Sequence, residues 1–284
     1  MITLRHLLIF MWLILTNIFN IHHLKAQLTH VITYNIKYDD KNDNVNNWND
    51  RKAYMVKQLR HYDVSIFGLQ EALFHQCAYL DSSLTNFTFV GAGRDDGKQK
   101  GEFSPIFYDS TQYEALQSGT FWLSETPEKP GKSWDAAFPR VCTYVLLKDK
   151  NLQTRFWVFN THFDHIGVQA RINSAKLITD QLKIFNRENL PVILMGDFNI
   201  EPQDAPIQTI TEYLTDGLTI SKKPLFGPFG TFNGFNQDIV DKRIDYFFTH
   251  KIKVFSYTHL DDKLPNGKHI SDHYPVFMSF EIQY

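Results

Sequence analysis

The segment PVILMGDFN, residues 191–199, joins a short apolar strand to a polar turn. Val192–Met195 are consecutive apolar residues, a pattern typical of a strand that is covered on both faces. Gly196 ends the run, and Asp197 and Asn199 then lie on one side of the sheet if the strand continues. Ligands of α/β sheets bind just beyond the carboxyl ends of such strands. A turn in which Asp197 or Asn199 caps the next helix is the alternative.

The other apolar runs of the chain also end in polar residues. With the first segment included, these strand ends are Asn35, Glu71, His162 with Asp164, Asp197 with Asn199, Asp245, and Asp272 with His273. Taken singly, each has a structural explanation, such as an ion pair between Asp245 and Arg243 or a hydrogen-bonded core His162. Taken together, they crowd several carboxylates at one edge, which like-charge repulsion disfavours unless a cation is present. Oxygen ligands without cysteine favour Mg²⁺ or Mn²⁺ over Zn²⁺, so the sequence predicts a hard divalent metal.

Length, charge and cysteine content set limits on the class of protein. A chain of 284 residues can bury one large core. The formal net charge of −2 gives no global reason for nucleic acid or an anionic membrane as a partner, although a local patch is compatible with either. Cys77 and Cys142 are too few for a disulfide framework, and we interpret both as small buried residues.

The N-terminal residues have the layout of a secretory signal. Basic residues precede an apolar run from Leu7 to Ile21, and Ala26 provides a small residue for cleavage. The run is too short and too interrupted for a comfortable membrane span, so a retained anchor is the less favoured alternative. We therefore predict a signal peptide at residues 1–26, a single domain at residues 27–284, and a secreted or periplasmic location.

Hydrophobic periodicity predicts strands and helices in each half of the chain. Helices are predicted at Trp48–Tyr62, Leu73–Leu84, Val168–Phe185 and Ala205–Leu214. Besides the segment at 192–195, strands are predicted at Val31–Ile36, Val64–Leu69, Ser104–Tyr108, Tyr113–Leu116, Thr120–Leu123, Val141–Leu147, Gln153–Asn160, Asp245–Thr249, Ile252–His259 and Val276–Ile282. The Gly-rich segment Gly91–Gly101 is predicted to be a mobile loop. Strands grouped between helices predict an α/β (α+β) fold, a four-layer αββα sandwich of two packed sheets flanked by helices.

Seven motifs in this order resemble those of the endonuclease/exonuclease/phosphatase superfamily. They are Y-N-I at 34–36, L-Q-E at 69–71, N-T-H-F-D-H at 160–165, G-D-F-N at 196–199, T-F-N-G-F at 231–235, R-I-D-Y at 243–246 and S-D-H-Y-P-V at 271–276. The superfamily includes deoxyribonuclease I, exonuclease III, inositol polyphosphate 5-phosphatases, neutral sphingomyelinases and nocturnin-type deadenylases. G-D-F-N alone is a weak signal, whereas the ordered set is specific and covers nearly all of the chain from Thr29 to Phe280. The resemblance implies mixed sheets, one active site between the tops of the two sheets, and metal-dependent hydrolysis of phosphoesters.

The resemblance also implies roles for the residues at the metal and the attacking water. Glu71 would be the principal metal ligand, with Asn35 beside it and Asp272 at the border of the metal. Asp197 would orient or deprotonate the water, and Asn199 would hold a phosphoryl oxygen. A metal neutralises charge on the transferred group while a carboxylate takes the proton of water, so these residue types suit the reaction.

Two histidines are implied at the phosphoryl group. His162 would stabilise charge on it, and His273 would face it with its ring fixed by Asp245. A carboxylate partner favours the protonated, phosphate-binding form of His273.

Substrate contacts are less well defined by the sequence. Arg140 and Arg171 are candidates for phosphate binding, with a structural ion pair as the alternative for each. Asp164 is a further candidate, and Phe232 is a candidate for stacking against a base or sugar, with local packing as the alternative. Lys37 departs from the pattern, because some nucleases of the group carry a second acid there.

The favoured function is a secreted Mg²⁺-dependent phosphoesterase that acts on a phosphodiester or a phosphomonoester. Its substrate would be a phosphorylated small molecule, a phospholipid headgroup or a nucleic acid, and we expect a monomer without a stable protein partner. A secreted nuclease acting on DNA or RNA is the alternative, while a non-catalytic binding module is disfavoured because every expected catalytic position is filled. A zinc hydrolase of metallo-β-lactamase type needs a His-x-His-x-Asp-His cluster, and the chain lacks its first His.

Overall fold

Residues 28–236 and 239–283 are described by the computed structural model, and they form four helices and twelve strands. The helices are α1 (Trp48–His61), α2 (Phe74–Ser83), α3 (Val168–Phe185) and α4 (Ala205–Thr211). The strands are β1 (Thr29–Asn35), β2 (Ile66–Gln70), β3 (Phe87–Val90), β4 (Ile106–Asp109), β5 (Tyr113–Trp122), β6 (Val141–Asp149), β7 (Arg155–His162), β8 (Val192–Asp197), β9 (Thr215–Asp216), β10 (Asp245–His250), β11 (Ile252–His259) and β12 (Val276–Ile282). No helix in this part of the chain is long and apolar enough to cross a membrane. The signal peptide predicted at residues 1–26 lies outside the described residues.

The strands form two mixed six-stranded sheets, which confirms the predicted four-layer αββα sandwich. The first sheet has the order β11-β12-β1-β2-β4-β3, and the second has the order β5-β6-β7-β8-β10-β9. Because β1 is parallel to β2, and β7 is parallel to β8, the carboxyl ends of each pair lie at one edge of their sheet. A hydrogen bond of 3.0 Å from Asn35 Nδ2 to Asp197 Oδ2 shows that these two edges adjoin.

Alternating side chains bury both faces of the central strands. In β1, Val31 belongs to the core between the sheets, and Ile32 belongs to the core that the first sheet shares with α1 and α2. The strand β8 alternates in the same way between the inner core and α3 with α4, which explains its continuous apolar sequence. Cys77 and Cys142 lie in the two helix-facing cores as free, buried thiols, as predicted.

Two buried amides connect the sheets close to this edge. Gln70 Nε2 of the first sheet donates to Asn160 Oδ1 of the second at 2.6 Å. The Asn160 amide in turn donates to two main-chain carbonyls beside β2 and β4, each at 2.8 Å. Gly68 permits the close approach, since a Cβ there would lie 2.7 Å from Asn160 Cγ. These hydrogen bonds between the sheets fix one relative position of the two sheets and thus of their strand ends, although Gln70 Oε1 is buried without a hydrogen-bond partner among the described residues.

Some segments differ from the sequence prediction. The pieces predicted at Tyr113–Leu116 and Thr120–Leu123 form one bulged strand, β5. The strands β3 and β9 were not predicted, because β3 is a half-buried edge strand and β9 has only two residues. Gly91–Gly101 forms no helix or strand, in agreement with the predicted loop, and Trp122 Nε1 donates to the Arg94 carbonyl at 2.7 Å; its mobility stays a prediction.

Candidate active site

The adjoining strand ends line a cavity of about 690 Å³, a volume within the range of small-molecule sites. Six of the predicted metal-binding and catalytic residues border it, namely Glu71, His162, Asp197, Asn199, Asp272 and His273. The other two, Asn35 and Asp245, are fully buried directly behind this wall. The structure therefore brings together all eight predicted metal-binding and catalytic side chains, while Asp164, the ninth strand-end residue, does not border the cavity.

Strand register sets three of these residues in one row. His162 of β7 lies opposite Asp197 of β8, which lies opposite Asp245 of β10. Gly196 allows β8 to approach β7 here, because its φ is +150° and a Cβ would lie 2.1 Å from the Thr161 carbonyl oxygen. Only glycine meets both conditions, so the glycine of G-D-F-N serves the strand geometry of the site.

Three polar residues at the cavity have a left-handed backbone. Lys37, Glu71 and Asn199 have φ angles of 56°, 60° and 52°. This conformation is uncommon for residues other than glycine, and it is concentrated at functional sites where the surrounding structure enforces it. Here it occurs where the chain turns after β1, β2 and β8.

The T-F-N-G segment joins the two motifs that follow it in sequence. The Thr231 hydroxyl accepts the main-chain N–H of Asp245 at 3.2 Å, and the Thr231 carbonyl accepts that of Tyr274 at 2.7 Å. Asn233 donates its main-chain N–H to the Asp272 carbonyl at 2.8 Å. These bonds hold the R-I-D-Y and S-D-H segments against each other, a role that sequence reasoning missed.

His273 lies between two carboxylates. Its Nδ1 is 2.9 Å from Asp245 Oδ2, and its Nε2 is 3.7 Å from Asp197 Oδ2. Although burial acts in the opposite direction, the charges of Asp245 and Asp197 raise the pKa of His273 to about 10. Burial, and then the charge of Asp245, raise the pKa of Asp197 to about 7. The group can keep a proton on His273 while Asp197 exchanges one near neutral pH, as a general base does.

Two groups of acidic residues lie at the cavity, and they differ in how well their side chains suit a metal ion. Asp197, Asp245 and His273 have ligand atoms within 4.8 Å of one another. The protonated ring of His273 already supplies positive charge to both acids, and metal binding there would require the loss of that proton. Glu71 and Asp272 border the cavity without such a ring between them, and their carboxylates suit a hard divalent cation. The predicted metal residues therefore fit the ion better than the histidine cluster.

The Asn35 amide connects the two acidic groups. Its Nδ2 donates to Glu71 Oε1 at 3.2 Å and to Asp197 Oδ2 at 3.0 Å. Its Oδ1 accepts the main-chain N–H of Lys37 at 3.1 Å. In this orientation Asn35 positions the carboxylates, and metal binding through Oδ1 would need the amide turned over.

The Lys37 ammonium lies between the two predicted metal-binding carboxylates. Its Nζ is 3.6 Å from Glu71 Oε2 and 3.5 Å from Asp272 Oδ2. Although burial opposes it, the charge of Lys37 lowers the pKa of Glu71. The turn that carries Lys37 is fixed, because Arg51 Nη2 and Gln76 Nε2 each donate to its carbonyl at 3.2 Å.

His162 is held as a neutral ring. Burial, and then the charges of Arg140 and Arg94, keep the pKa of His162 well below its usual range. Asn199 Nδ2 is 3.0 Å from His162 Nε2, so the ring proton lies on Nδ1. That nitrogen has no hydrogen-bond partner within residues 28–236 and 239–283, and it is 4.0 Å from Glu102 Oε2. Asn199 thus orients His162, and its contact with a phosphoryl oxygen stays a prediction.

The predicted substrate residues separate into two groups. Arg140 and Phe232 border the cavity, and Arg140 Nη1 has no partner among the described residues. Asp164 lies behind Arg140, 3.4 Å from its Nε, and accepts four main-chain N–H groups. Arg171 donates to the Asp164 carbonyl at 3.0 Å. Asp164 and Arg171 do not border the cavity in this structure, and Asp164 holds Arg140 from behind. The predicted contact of Asp164 and Arg171 with substrate stays a prediction.

One wall of the cavity was not identified from the sequence. It contains Arg94, Glu102, Phe138 and His165. Arg94 and Glu102 pair across the Gly-rich turn, with Nη1 2.7 Å from Oε2. None of the four residues ends a predicted apolar strand, so the strand-end pattern does not identify them. The opposite charges of Arg94 and Glu102, in and directly after the Gly-rich segment, are the local signal that could have identified the wall.

Comparisons with known proteins agree with this geometry. The profile of the Endonuclease/Exonuclease/phosphatase family matches residues 32–273. A protein of that family from Bacteroides thetaiotaomicron has a TM-score of 0.86 and 33% identity, covering 91% of this chain and 99% of that one. A mannosyl-6-phosphatase of the same species has a TM-score of 0.85 and 34% identity, covering 89% and 99%. D. rerio TDP2, solved with a single-strand DNA product, has a TM-score of 0.68 and 17% identity over 90% and 99%, a likeness of fold alone.

The profile match spans every residue that the strand ends predicted, from Asn35 to His273. The resemblance inferred from the seven motifs is therefore confirmed. The chain belongs to the Endonuclease/Exonuclease/phosphatase family, whose members are metal-dependent hydrolases of phosphoester bonds.

Proposed function

We propose that the protein is a secreted, Mg²⁺-dependent phosphatase that hydrolyses the phosphomonoester of a sugar or a similar small polyol. The observation that carries this proposal is the arrangement in one cavity of the Asp245–His273–Asp197 group beside Glu71 and Asp272. The similarity to a mannosyl-6-phosphatase over nearly the whole chain supports a sugar phosphate as the substrate class. The cavity also carries Lys37, Arg140 and Lys242, whose charges suit a dianionic monoester.

One divalent ion fits the first-sheet side of the cavity. Glu71 and Asp272 would hold it, with Asn35 beside them, and Mn²⁺ would substitute for Mg²⁺ because both prefer oxygen ligands. When bound, the ion neutralises charge on the phosphoryl group and on the leaving oxygen. We infer a single ion because Lys37 already places a positive charge between the two carboxylates.

The remaining residues handle the proton and the phosphoryl oxygens. Asp197 accepts a proton from the attacking water, whose oxygen bonds to phosphorus as the bond to the sugar oxygen breaks. The released sugar oxygen takes up a proton from solvent water and leaves as a hydroxyl group. His273, kept protonated by Asp245, donates a hydrogen bond to one phosphoryl oxygen. His162 Nδ1 and Arg140 Nη1, which have no partner among the described side chains, are donors for the others.

Location and oligomeric state are part of the same proposal. Residues 1–26 would direct export and be removed, and the enzyme would act as a monomer, since one chain contributes the whole set of proposed catalytic residues. The N-terminal sequence of the protein recovered from the medium or periplasm tests the first point. A mature chain that begins at Met1 in the cytoplasm would contradict it.

Release of phosphate from defined substrates tests the activity. The purified protein is assayed with mannose 6-phosphate, bis(p-nitrophenyl) phosphate, a phospholipid and a single-strand oligonucleotide, with Mg²⁺ or with EDTA. We expect Mg²⁺-dependent release of phosphate from mannose 6-phosphate, lost in Glu71→Gln. Cleavage of the oligonucleotide without monoester hydrolysis would favour the nuclease alternative, and equal activity in EDTA would remove the metal from the mechanism.

A further inference from the structure

The wall formed by Arg94, Glu102, Phe138 and His165, here called the distal wall, borders the same cavity as Glu71 and Asp272. None of its residues is needed for the water or the metal in the mechanism above. It combines a buried ion pair with an exposed aromatic ring, a combination that phosphate binding alone does not require. Its chemistry therefore has to be explained by the rest of the substrate.

The polar half of the distal wall is an incompletely satisfied ion pair. Arg94 is 9% exposed, and the Glu102 side chain is 18% exposed. They share the contact of 2.7 Å between Nη1 and Oε2. Arg94 Nε is buried and has no hydrogen-bond partner in the described part of the chain, and Asp95 Oδ1 lies 4.0 Å from it. Main-chain bonds fix the pair, because the Arg94 N–H donates to the Glu102 carbonyl at 3.0 Å. A buried donor without a partner favours a ligand that supplies an acceptor.

The apolar half is a flat aromatic surface. The Phe138 ring is 48% exposed and stacks on the His165 ring, with centroids 5.9 Å apart and planes inclined by 12°. Arg94 Cζ lies 5.1 Å from the centroid of the Phe138 ring. Arg140 Nη2 donates to His165 Nδ1 at 3.1 Å, so this ring is neutral and its remaining N–H lies on Nε2. The ring surface thus adjoins donors and a carboxylate acceptor.

We propose that the distal wall is a sugar subsite, which binds the hydroxyl groups of the molecule whose phosphate is removed. A hydroxyl group donates one hydrogen bond and accepts others. Neighbouring hydroxyl groups of a sugar can therefore donate to the Glu102 carboxylate and accept from the Arg94 guanidinium. The Phe138 ring covers the apolar C–H face of the sugar ring. The negative charge of Glu102 disfavours a second phosphate at this position, which selects against a nucleic-acid strand. This subsite rests on the proposed phosphatase function.

The test compares two primary monoesters that differ in their hydroxyl groups, mannose 6-phosphate and n-hexyl phosphate. The kcat/KM of each is measured for the wild type, Glu102→Gln, Arg94→Met and Phe138→Ala. We expect the wild type to prefer mannose 6-phosphate by on the order of a hundredfold or more, because polar groups left unpaired penalise the analogue. Each variant should reduce this preference by about tenfold or more on the same scale. The exposed Glu114→Gln and Phe226→Ala, both outside the cavity, are matched controls that should retain it.

The outcomes separate the subsite from the proposed function. If the wild type hydrolyses both esters and the variants lower both values of kcat/KM by the same factor, the subsite is wrong while the phosphatase function stands. If the wild type hydrolyses neither ester, the proposed function is wrong and the subsite with it. The melting temperature of each variant shows whether it is folded. If Glu102→Gln is unfolded, Glu102→Asp replaces it, because aspartate keeps the negative charge on a shorter side chain. A Glu102→Asp variant that retains the wild-type preference for mannose 6-phosphate would also overturn the subsite.

Discussion

Two acidic pairs lie side by side at the cavity, with Asp245 buried behind its wall, and each pair is accompanied by one basic side chain. The imidazole unit consists of Asp197, Asp245 and His273, and the ammonium unit consists of Glu71, Asp272 and Lys37. In the imidazole unit the basic group makes a hydrogen bond of 2.9 Å, and its side chain is only 4% exposed although it borders the cavity. In the ammonium unit the contacts are 3.5 and 3.6 Å, and the lysine side chain is 30% exposed.

This difference separates a proton site from a cation site. A hydrogen-bonded ring holds its two carboxylates in a fixed geometry and keeps its proton, because separating a buried pair leaves uncompensated charge. An ammonium group beyond hydrogen-bond distance balances the charge of its carboxylates without occupying their lone pairs. We therefore expect the imidazole unit to act in proton transfer and the ammonium unit to accept a divalent ion.

The largest expected effect is a loss of turnover, and mutations in the two units should differ in whether Mg²⁺ binding is lost with it. Asp197→Asn should lower kcat by on the order of 10²–10⁴, the usual contribution of a general base, and should retain Mg²⁺ binding. Glu71→Gln should lose both activity and Mg²⁺ binding. Turnover and calorimetric titration with Mg²⁺ measure the two properties. Loss of Mg²⁺ binding in Asp197→Asn would make the imidazole unit the metal site and reverse the comparison.

The internal coupling of the imidazole unit gives the next effect. Asp245→Asn and His273→Ala should each lower kcat/KM by roughly 10²-fold or more, since Asp245 acts through the His273 ring. The double variant should be scarcely worse than the worse single variant, because residues that act as one unit give non-additive losses. A double-mutant cycle on kcat/KM measures this. If the factor by which the double variant lowers kcat/KM equals the product of the two single factors, Asp245 and His273 act independently.

The pH dependence of turnover also reports on the imidazole unit. Asp197 must be unprotonated to act as a base, so with its pKa raised to about 7 activity should rise as the pH rises through about 7. His273 must be protonated, and with its pKa raised to about 10 activity should fall only above about 10. A profile of kcat against pH tests both limbs. Activity that is constant as the pH falls well below 7 would exclude Asp197 as the base.

Asp164 is a reference carboxylate, because it is stabilised mainly by four main-chain N–H groups. Although burial acts in the opposite direction, these groups lower the pKa of Asp164 to about 2 from 3.8. By linkage, the charged form contributes about 2 kcal/mol to the free energy of unfolding. Because the folded pKa is the lower one, this contribution is present above about pH 4 and is lost as the pH falls through about 2. Urea denaturation should show Asp164→Asn less stable than the wild type at neutral pH, with the difference shrinking in acid, and a constant difference would contradict the assignment.

The smallest effect concerns the ammonium unit. Lys37→Met removes the positive charge that competes with the metal, so Mg²⁺ should bind roughly tenfold more tightly. The wild type should bind one ion in a calorimetric titration with Mg²⁺ or Mn²⁺. The exposed Lys223→Met is the matched control. Two ions bound by the wild type, or weaker binding in Lys37→Met, would show that Lys37 does not take the place of a second cation.

The sequence predicted the fold and the strand-end residues for a clear physical reason. A buried strand is a run of apolar side chains, so a polar residue at its end stands out, as Asn35 and Asp197 do. Helices with a regular apolar stripe are equally visible, and α3 has the predicted bounds, Val168–Phe185. These features depend on residues that are close together in the chain.

The features that the sequence did not predict depend on contacts between distant loops. Glu102 faces His162, and Asn233 binds the carbonyl of Asp272, but no local pattern marks either contact. Lys37 was noticed only as a departure from a motif, and its position between two carboxylates follows from the turn after β1. For Arg171 the sequence left a phosphate contact and a structural role open, and the structure shows its Nη1 donating to the main-chain carbonyl of Asp164.

The pairing of β1 with β12 has a consequence for the timing of activity. These strands are the first and the last of the described chain, and Val31 lies opposite Met278. Asn35 ends β1, and His273 lies just before β12, so this pairing brings His273 to the sheet edge at which Asn35 lies. Contacts between such distant segments form late, because a long loop must first close. A nascent chain that has not reached β12 therefore has its remaining strands but no working site, and it cannot hydrolyse phosphoesters before its synthesis has passed that strand.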